Sequence, residues 1–245
     1  MSVALASSST TSHALPAKPS PQRLARTTGW LYLVLAGLGM LGPLMLESLV
    51  VPGDASATAD SIAQSLWLLD VSLVAWIAII AVDVVLSVAL YLLLAPAGRA
   101  LSLAAAAFRL VYSAVVGALL ILPFIARALL TGGSDDAVDR QAQALAALEA
   151  FDVGFLLALV FFGFHLLVLG PLLLRSRYVP RVFGVLLSVA GAGYITDSLL
   201  HLITDAGGGP ISAVLLTPAV IGEIGLAVWL LIKGVQTPNG KAPDL

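Results

Sequence analysis

Asp83, Arg109, Asp152, His165, Asp197, His201 and Glu223 all lie within or at the edge of long apolar runs. An aspartate or arginine at a helix centre costs roughly 2.5–3.5 kcal/mol on membrane-insertion scales. Left unpaired, Asp83, Arg109 and Glu223 would together cost on the order of 10 kcal/mol. Such groups must face inward, and some of them must pair or be neutral. Counting about 1.5 Å of rise per residue from the expected cytoplasmic ends puts Asp83, Arg109, His165 and Glu223 in one layer near mid-membrane. The types suit an Asp83–Arg109 ion pair, with His165 and Glu223 bonded to each other or to backbone. One negative charge is left over if Glu223 ionises. That makes the layer a candidate cavity for a proton, a cation or a small polar solute.

A second set lies nearer the opposite face. Asp197 and His201 are four residues apart and share a helix face, with Tyr194 three before Asp197. A carboxylate and a histidine one turn apart suit a divalent metal, with a carboxylate such as Asp152 or Glu223 as a third ligand. They suit equally a histidine oriented by hydrogen bonds near the interface. Glu47 and Asp70 approach the same level. His165 and His201 differ in depth by roughly 15 Å, too far for the two axial ligands of one haem.

Apolar stretches must position these groups. The chain has 245 residues, 60% hydrophobic and 11% charged, against about 25% charged in soluble domains. So little polar surface cannot cover a fold in water, and the lipid bilayer is the expected solvent. The formal charge of −2 and the lack of a basic aromatic patch argue against a nucleic-acid partner. The absence of cysteine removes disulfides, thiolate metal sites and cysteine nucleophiles. No G-x-S-x-G, H-E-x-x-H, P-loop or dinucleotide fingerprint is present, and no span holds a lysine for a Schiff base.

In chain order, residues 1–27 read as a disordered cytoplasmic tail rich in Ser, Thr and Pro, with His13 solvated in it. A transmembrane domain over 28–235 follows, then a short polar tail over 236–245. Six spans are expected near 29–50, 69–94, 101–129, 151–174, 179–204 and 211–232. The first run is longer than the roughly 7–15 residues of a signal-peptide core, so an uncleaved helix is expected. Gly42-Pro43 should kink its outer half, and Asp54 should cap a helix starting at Ala55. Ala95 to Arg99 reads as a tight turn, and the later part of the loop at 131–150 as a short helix. The glycines at 184, 191, 193, 222 and 225 read as close helix contacts. Lys18, Arg23, Arg26, Arg99, Arg175, Arg177, Arg181, Lys233 and Lys241 fall on one side, and Arg127 and Arg140 on the other. By the positive-inside rule both termini are cytoplasmic. The fold class is all-α: a polytopic transmembrane bundle of six helices, with a composition that suggests a bacterial inner membrane.

The segments ARTTGWLYLVLAGLG, VVPGDASATADSI, VDVVLSVALYLLL, AAAFRLVYSAVVG, HLLVLGPLLLRS, YVPRVFGVLLSVAGAGYITDSL and EIGLAVWLLIKGV carry a resemblance over roughly 25–236. They resemble the bacterial membrane family known as domain of unknown function 4386. Asp54, Asp83, Arg109, His165, Asp197 and Glu223 lie inside the matching segments, and His201 lies beyond the best-matching part. Gly170-Pro171 departs from the glycine–aromatic pair expected there. The resemblance implies the topology and brings no activity. Three functions stay open: an ion- or solute-handling protein, a membrane-embedded metal-dependent hydrolase, and a structural or stress-related component that catalyses nothing. No cofactor is identified beyond a possible divalent metal.

Overall fold

A computed structural model describes residues 20–132, 137–204 and 209–235, and every regular element among them is a helix. The helices are α1 (Pro21–Glu47), α2 (Ala55–Gln64), α3 (Leu66–Leu119), α4 (Ile121–Thr131), α5 (Ala137–Ser176), α6 (Arg181–Ile203) and α7 (Gly209–Ile232). Five stretches are long and apolar enough to cross a membrane, the second running through α3 and α4 as Leu66–Thr131. That stretch is broken at Gly98, whose backbone leaves the helical region. Ser102 Oγ donates to the Tyr91 carbonyl at 2.9 Å, Ser87 Oγ to the Ala106 carbonyl at 3.1 Å, and Arg109 reaches Asp83. Pairs that converge on the turn in this way make α3 an antiparallel hairpin of two arms. The bundle therefore has six crossings.

Local chemistry sets most boundaries. α1 begins at Pro21, so residues 20–27 are not part of a tail; Ser20 caps the helix and Pro21 starts it where a missing N–H costs nothing. The tail reading for 1–19 and for 236–245 lies outside the described residues. Asp54 caps α2, accepting from the Ala57 N–H at 2.9 Å. Pro123 has no N–H for the Leu119 carbonyl four residues back, and the chain breaks between α3 and α4 at Leu120. α5 runs unbroken for 40 residues, roughly 60 Å. That is twice the roughly 30 Å hydrocarbon core, so its first turns are the front of one long helix rather than a separate short one.

Packing closes α1, α3, α5, α6 and α7 into a ring, each against the next and α7 against α1. Small residues let the backbones approach. A Cβ on Gly191 would lie 2.7 Å from the Gly163 carbonyl oxygen, and one on Gly29 2.8 Å from that of Ala227. α1 and α7 are also clamped at one end, where Gln22 Nε2 donates to the Val235 carbonyl at 3.2 Å and Gln22 Oε1 accepts from the Val235 N–H at 3.1 Å. Two hydrophobic clusters fill the interior. One gathers Tyr32, Leu86, Phe162, Leu166 and Leu226; the other gathers Leu73, Trp76, Ile79, Leu148 and Phe151.

Candidate functional site

Asp83 lies on the first arm of α3 and Arg109 on the second, brought level by the hairpin. Arg109 is fully buried and Asp83 1% exposed. Arg109 Nε donates to Asp83 Oδ1 at 2.9 Å, and Nη2 reaches the same oxygen. Ser113 Oγ, one turn beyond Arg109, donates to Asp83 Oδ2. From α5, His165 Nε2 lies 3.1 Å from Arg109 Nη1, and His165 Nδ1 lies 2.8 Å from the Ala105 carbonyl. A carbonyl only accepts, so Nδ1 carries the proton and Nε2 accepts from the guanidinium. The rings of Tyr32 and Phe162 flank the guanidinium at 5.4 and 5.1 Å, within cation–π range. A buried pair is tolerated when further hydrogen bonds complete it, and each of these groups is completed by the others.

Glu223 on α7 differs. It shares the layer with Asp83 and Arg109 yet makes no hydrogen bond or ion pair with a described residue. Of the two arrangements expected for His165, the bond to backbone forms, to the Ala105 carbonyl, and the bond to Glu223 does not, because the imidazole is saturated by Arg109 and Ala105. Glu223 instead lines a cavity of about 420 Å³ at the junction of the two hydrophobic clusters. Asp83 and Arg109 form part of its floor, and Tyr32, Trp76, Tyr112, Phe155, Phe162 and Tyr194 give it aromatic walls. Among the described residues the Trp76 indole N–H is buried without a hydrogen-bond partner, while the Tyr32 hydroxyl is held beside the Arg109 guanidinium. Pro43 has no N–H to offer the carbonyl of Gly39, another lining residue.

The second set is arranged otherwise. Asp197 is 4% exposed and accepts from Ser212 Oγ at the start of α7. His201 Nδ1 lies 2.9 Å from the Asp197 carbonyl and 3.7 Å from Asp197 Oδ2. These contacts hold the imidazole against its own helix. Among the described residues no three His, Asp or Glu come together as a metal would need, so Asp152 does not join Asp197 and His201. Asp152 stands near Glu47 and Glu149. Asp70 pairs with Arg127, both partly exposed. Tyr194 points its chemistry elsewhere from Asp197: it lines the mid-membrane cavity, with its ring edge-on to Phe162 at 5.2 Å.

Sequence reasoning missed Tyr32, Trp76, Tyr112 and Ser113. A hydroxyl or an indole N–H inside an apolar run is a usable signal, since such groups want a partner when buried.

Comparison with known proteins supplies the relationship. The family described as "Domain of unknown function (DUF4386)" matches residues 27–234. An uncharacterized protein of Archaeoglobus fulgidus is 32% identical over 163 residues, covering 66% of this chain and 83% of that protein. No solved structure matches.

Proposed function

The chain belongs to the DUF4386 family, and from that premise we propose that it binds a cation or a small polar solute in its interior cavity, with Glu223 as the engaging group. One observation carries the reading: an interior carboxylate that makes no hydrogen bond to a described side chain lines a space large enough for a ligand. Polar groups are expensive inside a membrane, and one kept without a protein partner marks a place for something else to bind. Asp83, Arg109, Ser113 and His165 are assigned to holding the floor rigid, since their hydrogen bonds go to one another.

Full-length protein reconstituted in liposomes with an entrapped pH dye tests this. Cation-driven proton flux above that of empty vesicles is expected, and Glu223→Gln should bring it to the empty-vesicle level. Equal flux in wild type and variant would overturn the assignment. A second reading, in which the interior charges only fix helix packing, draws on the mutual satisfaction of the Asp83–Arg109–His165 group. It requires no flux in wild type and an unaltered fold in Glu223→Gln.

The bacterial inner membrane with both termini cytoplasmic is the orientation that the basic residues favour. Because the chain has no cysteine, single cysteines report it without background. In intact cells Arg99→Cys should resist a membrane-impermeant thiol reagent, while Gly132→Cys should react. The reverse pattern would invert the topology.

A further inference from the structure

We infer that the cavity accepts an organic cation bearing apolar substituents, a tertiary or quaternary amine, and takes it sideways from the bilayer between α1 and α7. This rests on the cavity-binding reading above and specifies its ligand class and entry route. Charge comes first. Asp83 and Arg109 cancel; three of the five Arg109 N–H donors go to Asp83 and His165, and Tyr32 and Phe162 flank the guanidinium, which disfavours an anion there. Glu223 then gives the space one net negative charge when ionised. A divalent metal ion would take about four ligands as zinc or six or more oxygens as calcium, and no group of three candidate ligands exists among the described residues. An organic cation needs one counter-ion and ring surfaces. The walls provide Trp76, Tyr112, Phe155 and Tyr194 beside Glu223. The chain has only 7% aromatic residues, so their gathering around one cavity is a property of the site. The volume of about 420 Å³ also suits a small organic molecule better than a proton relay, where one water occupies about 30 Å³.

The route follows from the packing of the first and last described helices. α1 and α7 touch closely at Gly29 and are clamped by Gln22 and Val235. Toward their other ends they lean on different neighbours. A Cβ on Gly42 of α1 would lie 3.2 Å from Ala75 of α3, and Gly193 of α6 abuts the Leu215 backbone of α7. Between them, Met40 and Val220 both line the cavity while 64% and 58% exposed. The cavity therefore opens laterally, at a depth where the surroundings are hydrocarbon. A cation carrying apolar groups enters such surroundings more readily than a hydrated inorganic ion, because its charge is spread and its substituents are at home there.

The test uses the full chain in lipid nanodiscs, with empty nanodiscs subtracting partition. Calorimetry compares benzyltrimethylammonium with its neutral carbon isostere, neopentylbenzene. Saturable binding of the ammonium is expected, at least tenfold tighter than the isostere and at least tenfold weaker in Glu223→Gln. Equal binding of the two probes to wild type overturns the ligand class, and that comparison stands even if Glu223→Gln fails to fold. Loss of liposome flux in Glu223→Gln together with no ammonium binding overturns this inference while leaving the cavity reading intact. Neither flux nor binding depending on Glu223 overturns both. For the route, Val220→Phe with Met40→Phe should slow ammonium association at least fivefold; an unchanged on-rate overturns lateral entry.

Discussion

Arg109→Gln should lower the stability of the bundle by about 3–5 kcal/mol, the range found when one partner of a buried ion pair is removed. The cause is the charge left behind. Asp83 would keep only Ser113, and His165 Nε2 would lose its donor. Asp83→Asn should cost a similar amount, because the guanidinium, with no exposure of its own, would be left among Tyr32 and Phe162 without its counter-ion. The double variant Asp83→Asn/Arg109→Gln should lie well above the sum of the two, since two amides can bond to each other without any net charge. Unfolding in mixed detergent micelles, read by circular dichroism, measures all three. A coupling energy near zero would show that the pair contributes nothing cooperative, and the site would then need another account.

Gly191→Val should be strongly damaging, at about 1–3 kcal/mol for overpacking. A Cβ at that position would meet the Gly163 carbonyl oxygen at 2.7 Å and the Leu167 backbone nitrogen at 2.8 Å. Backbone atoms cannot step aside as a side-chain end can, so α5 and α6 must separate. The displacement would reach the site, because α5 carries Phe162 and His165 and α6 carries Tyr194. Gly37→Ala is the control: nothing lies within 4 Å of its Cβ position, and alanine is the better helix former by about 1 kcal/mol. It should be neutral or slightly stabilising. A thermal shift as large in the control as in Gly191→Val would refute the close-packing explanation.

Much of the site was legible because membrane spans have nearly fixed length and rise. Counting along them put Asp83, Arg109 and His165 at one depth, and the hairpin around Gly98 brought them into contact. The carboxylate and guanidinium had few other ways of being satisfied, so their pairing was readable too. The surroundings of Glu223 and the partner of Asp70 were not. Depth says nothing about rotation, and Glu223 faces a cavity rather than His165, while Asp70 of α3 finds Arg127 of α4, at the far end of the same hairpin. Aromatic residues were hidden for a related reason. Tyr32 and Trp76 sit inside apolar runs that look alike whether they face lipid or interior. The start of α1 was obscured by the Ser-, Thr- and Pro-rich composition that reads as a tail, although Ser20-Pro21 is a good helix start.

The meeting of α1 with α7 bears on the order in which the protein can be made. During synthesis the two arms of α3 emerge in succession, so Asp83 and Arg109 can neutralise each other while the rest of the chain is still being translated. The wall bearing Glu223 belongs to α7, the last of the described helices, and its seal against α1 at Gly29 waits for that segment. A nascent chain halted before α7 would keep its buried charges paired but would have no Glu223 and no sealed chamber. Ligand binding is thereby withheld until the final described helix has been inserted.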